Sequence, residues 1–144
     1  MKNFLPFLFA FFILNLVLNC SATQPNNPPY QREWMLISFD AFTKQQLIEK
    51  SAGINLTGEK IKNQVKGSAT MGCNKIFFNA EIKNKGKIKI SNLGSTEMAC
   101  QNRSIEDRFM KKFGNMSHYK IEGHRMTLSD KNGNEMKFIA ADWD

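Results

Sequence analysis

Residues 75–90 read Lys-Ile-Phe-Phe-Asn-Ala-Glu-Ile-Lys-Asn-Lys-Gly-Lys-Ile-Lys-Ile. From Lys87 the alternation is strict, with Lys87 and Lys89 on one side and Ile88 and Ile90 on the other. That period of two belongs to a strand with one buried face. Asn84-Lys85-Gly86 supplies turn residues, and the run from Ile76 to Ile82 precedes them as a second strand. The stretch is a β-hairpin.

Working outward, the chain offers more short strands of the same kind. Gln64 to Met71 places Val65, Ala69 and Met71 on one face, and Gly72-Cys73-Asn74 breaks it from the hairpin. Ile54-Asn55-Leu56 alternates and ends at Gly58. Trp34, Leu36 and Phe39 mark a strand near 33–39 with mixed apolar spacing. Residues 40–50 stay open, because Leu47 and Ile48 suit either a short helix or a strand. Downstream, Tyr119–Ile121 and Arg125–Leu128 flank Gly123-His124, and Met136–Ala140 follows the turn residues Asp130-Lys131-Asn132-Gly133.

One helix interrupts the strands. Ile105, Phe109, Met110 and Phe113 share a helical face, with Ser104 as the expected N-cap and Asp107 at the capping-box offset. Lys111 and Lys112 meet the negative end of the dipole, and Gly114 is the expected stop. The expected fold is therefore mainly β (α+β). It is a small antiparallel barrel-like sheet with one packed helix, since a flat open sheet would leave long edges.

The 144 residues fit one domain. Residues 1–19 hold five of the twelve Phe, with Lys2 as their only charge. The apolar run Phe4–Leu18 is shorter than the roughly 20 residues a spanning helix needs, so 1–19 is expected to be a signal peptide. Cys20 directly after it resembles a bacterial lipobox, which implies lipidation of Cys20. Ser21 after that Cys resembles outer-membrane sorting. Residues 20–32 carry three of the four Pro and are expected to be a lipid-anchored tether, leaving 33–142 as the folded domain.

Several motifs fall in order along this frame. Gly72-Cys73-Asn74 precedes the aromatic pair Phe77-Phe78; Ser95-Thr96-Glu97-Met98-Ala99-Cys100 follows later. Then come a helix with Glu106 and Phe109, Tyr119-Lys120-Ile121-Glu122-Gly123, Met126-Thr127-Leu128 and Asn132-Gly133. Trp34, Leu36 and Ser38 form a Trp-x-Leu-x-Ser opening. Together these resemble the META domain of the HslJ-like envelope proteins, with Gly72, Cys73, Asn74, Thr96, Met98, Ala99 and Cys100 as the family motif. The resemblance implies a small barrel-like fold with a helix, in an envelope protein associated with stress or drug tolerance. It implies no known reaction.

With Cys20 lipidated, Cys73 and Cys100 remain, and an exported even pair suggests a disulfide. Two buried free thiols are the other reading. No zinc spacing, nucleophile elbow or phosphate loop occurs, so no cofactor, metal or catalytic set is expected. The net charge of +7 is partly concentrated in Lys83, Lys85, Lys87 and Lys89. These four lysines suit a solvent face or strand edge, or a contact with anionic lipid or lipopolysaccharide. Nucleic acid is disfavoured, since no aromatics interleave the lysines. Met71, Met98 and Met126 are expected as core filler. The expected protein is a non-enzymatic envelope module, in the outer membrane or otherwise periplasmic or secreted, with an unknown envelope partner. The alternative is a secreted inhibitor of a host enzyme such as lysozyme, although this net positive charge would be repelled by cationic lysozyme.

Overall fold

In the computed structural model, which describes residues 27–143, the hairpin joins β5 (Lys75–Lys83) to β6 (Lys87–Ser95). Residues 1–19, Cys20 and the first part of the tether lie outside the described residues. Lys85 and Gly86 both take positive φ in the hairpin turn, at +61° and +68°. The other strands are β1 (Glu33–Phe39), β2 (Gly53–Asn55), β3 (Lys60–Ile61), β4 (Gln64–Thr70), β7 (His118–Glu122), β8 (Arg125–Ser129) and β9 (Glu135–Ala140). Helices α1 (Lys44–Glu49) and α2 (Ser104–Phe113) complete the domain.

All pairings are antiparallel, in the order β2-β1-β9-β8-β7-β6-β5-β4-β3. Because β2 also pairs with β4, eight strands close into a barrel and β3 stays outside the ring as a short hairpin partner of β4. Closure removes the edges that an open sheet would expose. The barrel is thinnest between β6 and β7, which share the register pair Lys87↔His118 and bonds such as Tyr119 N–H to Gly86 O at 2.7 Å.

Alternation fills the inside. Val65 and Ala69, then Ile76, Phe78, Ala80 and Ile82, then Ile88 and Ile90, all point inward and are buried. Gly67 sits opposite Phe78, and a Cβ there would run into the ring, so this strand position needs glycine. The mixed spacing of β1 has a physical cause. Its register against β9 shifts between Leu36 and Ser38, and this bulge returns Phe39 to the inside after Trp34 and Leu36.

Helix α2 lays Ile105, Phe109 and Phe113 onto this core. Phe113 meets Phe78 edge-on with centroids 4.8 Å apart, and Phe109 stacks on Phe113 at 4.4 Å. The helix begins where expected but is not capped by Ser104. Arg103 is the N-cap residue and has no side-chain cap, while Asn102 Oδ1 accepts from both the Ser104 N–H at 3.0 Å and its hydroxyl at 2.8 Å. That turn consumes the serine hydroxyl, and Asp107 pairs instead with Arg103 at 3.5 Å. Gly114 closes the helix with right-handed φ of −60°, without using its left-handed freedom. The open region 40–50 contains a helix, Lys44–Glu49, started by a capping box in which Thr43 and Gln46 satisfy each other's backbone N–H.

Met71 and Met126 are buried as expected, but Met98 is 59% exposed. Its contribution is made by its backbone N–H instead.

Candidate functional site

The paired motifs converge on one residue. Gly72, at φ +105°, turns the chain out of β4, and Asn74 follows with none of its surface exposed. The Asn74 N–H donates to Glu106 Oε2 at 2.9 Å, and its side-chain amide donates to Glu106 Oε1 at 2.7 Å. Asn74 Oδ1 accepts from the Thr96 hydroxyl at 3.0 Å and from the Met98 N–H at 2.8 Å. Thr96 is itself held by Lys75, whose N–H donates to Thr96 Oγ1 at 3.1 Å. Cys73 is disulfide-bonded to Cys100, with Cα atoms 6.4 Å apart. The family-motif residues thus form a latch between the start of β5, the segment after β6 and the first turn of α2. Ala99 is exposed and makes none of these bonds.

Glu106 is 1% exposed and carries the latch. A buried carboxylate costs several kcal/mol unless it is paired and hydrogen-bonded. Here two Asn74 donors satisfy it, and the Arg103 guanidinium stands 3.4 Å away. Charge-assisted bonds of this kind contribute about 1.5–3 kcal/mol each. With each oxygen accepting from Asn74, the carboxylate ties the first turn of α2 to the start of β5. The sequence contains a signal for it: Glu106 lies three residues before Phe109 and seven before Phe113, on the same apolar stripe.

The four candidate lysines are brought together on the outside of one hairpin. Lys83 stands opposite Lys87, Lys89 opposite Glu81, and Lys85 occupies the turn. Lys83 Nζ lies 3.4 Å from Glu81, so one acid sits among the four. They are exposed lysines of a solvent face. Lys83 lies on β5, which is paired on both sides, whereas Lys87 and Lys89 lie on β6, whose far side shares only the register pair Lys87↔His118 with β7. The histidines lie apart. His118 opens β7, while the His124 ring stacks on Trp143 at 3.7 Å with its Nδ1 3.2 Å from Arg32. Among the described residues, no group of three or more His, Cys, Asp or Glu is arranged to hold a metal.

A second feature lies on the opposite outer face. A groove of about 870 Å³ runs across β9, β1, β2 and β4 and is walled on one side by α1. Its floor follows one transverse row of the barrel: Arg125 on β8, Ile139 on β9, Met35 on β1, Gly53 on β2, Thr70 on β4 and Lys75 on β5 stand side by side in register. Ile37 and Ile48 add apolar surface. Met35 is 42% and Ile48 54% exposed, where an outward strand position or helix face is normally polar. Sequence reasoning missed this groove. Its signal is the unbroken apolar run Trp34-Met35-Leu36-Ile37 in β1 and the adjacent Phe138-Ile139-Ala140 in β9, which leave no polar outer face.

A closed eight-stranded antiparallel barrel, covered by a helix that is latched through bridged Gly-Cys-Asn and Thr-x-Met-Ala-Cys segments, defines the class. The META domain family profile matches residues 28–143, and the chain belongs to that family. Among solved structures it is similar to an NMR structure of a protein from Burkholderia xenovorans, at 19% identity and a TM-score of 0.58, covering 84% of this chain and 92% of that one. A crystal structure of a DUF4847 family protein from Bacteroides vulgatus aligns at 12% identity and a TM-score of 0.49, over 79% of this chain and 95% of that one. The Burkholderia likeness is one of fold. A search of curated proteins returned no match.

Proposed function

We propose that this META-domain protein is an exported, lipid-anchored module of a bacterial envelope, in the outer membrane, which supports stress or drug tolerance by binding rather than by catalysis. The observation that carries the reading is the Cys73–Cys100 bond, because disulfides persist in oxidising compartments outside the cytosol. The signal-like residues 1–19 and the lipobox-like Cys20 support it from the sequence. The binding part is supported by the structural use of Glu106, whose two oxygens both accept from Asn74 and hold α2 in place. The exposed Lys83, Lys85, Lys87 and Lys89 then face anionic headgroups, lipid or lipopolysaccharide, at about 1 kcal/mol per lysine near a charged surface.

The test is fractionation of the full chain expressed in a bacterial host with intact-mass analysis. Membrane association with an acyl mass on Cys20, both lost in Cys20→Ser, is the expected result. A wild-type chain that stays in the cytosol with reduced Cys73 and Cys100 overturns the reading.

A further inference from the structure

The groove beside α1 is apolar where a solvated barrel should be polar, and it is edged by positive charge. Lys44 lies at the start of α1, and Arg125 and Lys75 close the two ends of the transverse row, about 24 Å apart along the curved surface at five strand spacings. Among the described residues none of these three cations is ion-paired. Glu33 is the single acid in the lining, and its carboxylate is engaged by the Asn55 side-chain amide at 2.6 Å. The volume of about 870 Å³ falls within the roughly 300–1,000 Å³ of small-molecule sites. Gly53, in the middle of the row, lets β2 lie close against β1: a Cβ there would meet the Trp34 carbonyl at 2.6 Å.

We propose that this groove binds a single anionic amphiphile, its hydrocarbon chain against Met35, Ile37, Ile48 and Ile139 and its phosphate or carboxylate head at one end of the groove, on a rim cation that carries no ion pair. The chemistry follows from two complementarities. Apolar surface of this width repels any ligand that is polar throughout, since burying unpaired polar groups costs about 1–3 kcal/mol each. Three cations against one acid, Glu33, leave the rim net positive and favour a head of negative charge over a neutral one. The site is separate from the lysines of the β5–β6 hairpin, which present no apolar floor. The inference rests on the binding part of the proposed function and not on the anchor.

All elements and core residues lie between Tyr30 and Ala140, so a chain starting at residue 21 keeps the whole fold. That chain is titrated calorimetrically with decyl phosphate, decanoate and decanol below their aggregation concentrations. The expected result is saturable one-to-one binding of an anionic probe, with decanol weaker by about tenfold or more, equivalent to about 1.4 kcal/mol. The anionic probe that binds better distinguishes a phosphate source from a carboxylate source. Met35→Glu should abolish binding, and Ile48→Glu, on the exposed face of α1, should do the same if the strand variant unfolds. Lys75→Gln with Arg125→Gln should weaken the anionic probe about tenfold and leave decanol unchanged. No saturation with either anionic probe, equal affinity for decanol, or unchanged binding in folded Met35→Glu or Ile48→Glu overturns the proposal. Cys20 is absent from this chain, so failure here leaves the anchoring result standing, and failure of anchoring leaves this one.

Discussion

Helix α1 buries one side chain, Leu47, whereas α2 buries four: Ile105, Glu106, Phe109 and Phe113. Both helices connect strands, and they are held in opposite ways. α1 is fixed from its start, by the Thr43–Gln46 capping box, and its exposed Ile48 is left to wall a groove. α2 has no side-chain cap of its own and is fixed from its buried face, by aromatic packing and the Asn74–Glu106 latch. A helix can thus obtain its boundaries either locally, from its own first turn, or from tertiary partners far away in sequence.

Substitutions should separate the two modes. The largest effect belongs to the latch. Glu106→Ala leaves two Asn74 donors unpaired in the core and should destabilise by about 3–5 kcal/mol. Reducing the Cys73–Cys100 bridge should cost roughly 3–4 kcal/mol in the loop-entropy description. Denaturant unfolding of wild type, Glu106→Ala and the reduced protein measures both. Equal stability of Glu106→Ala and wild type would erase the contrast between the helices.

The cap comparison is smaller and more discriminating. Thr43→Ala should cost about 1 kcal/mol, because its hydroxyl accepts from the Gln46 N–H. Ser104→Ala should cost less than about 0.5 kcal/mol, because its hydroxyl bonds only Asn102 at the surface. Thermal melts of the two variants give the ranking, and a reversed order would return α2 to the locally capped class.

The smallest effect lies at the turn beside the last residues of α2. Asp130 accepts from the Asn134 side-chain amide at 2.7 Å and from the Asn134 and Asn132 N–H groups at 2.9 and 2.8 Å. The Asn134 side-chain bond, aided by these backbone bonds and nearby Lys112, holds its carboxyl below the usual carboxylate range. A depressed folded pKa stabilises above the unfolded value, near 3.9, and the benefit is lost as pH falls through the folded value. The melting difference between wild type and Asp130→Ala should therefore be constant from pH 5 to 7 and shrink on acidification below about 4. A difference that grows toward acid would contradict the assigned direction.

Helix α2 was legible from residues 104–114 alone, because its apolar stripe spans three turns. α1 was ambiguous because six residues with one buried side chain give no periodicity, although Thr43-x-x-Gln46 carried the capping signal. The lysine face of the β5–β6 hairpin followed from strict alternation. The groove did not, since Met35, Ile48 and Ile139 come from three separate elements and meet only when β1 pairs with β9. The latch was half visible. Asn74, Thr96, Met98 and the helix with Glu106 all belong to the quoted pattern, but nothing in the sequence pairs Glu106 with Asn74, which only the fold does.

The pairing of β1 with β9, which sets Trp34 opposite Ala140, has a consequence for the order of assembly. The ring cannot close until its final strand has been made, however well the hairpins before it have formed. During synthesis the growing chain holds two unpaired edges, on β1 and on β8, each a template for another chain. Pairing across this sequence distance is also intrinsically slow. β9 therefore decides whether the domain closes into a barrel. A premature stop before Glu135 would produce a sticky open sheet, and the damage would reach Trp34 at the far end of the domain.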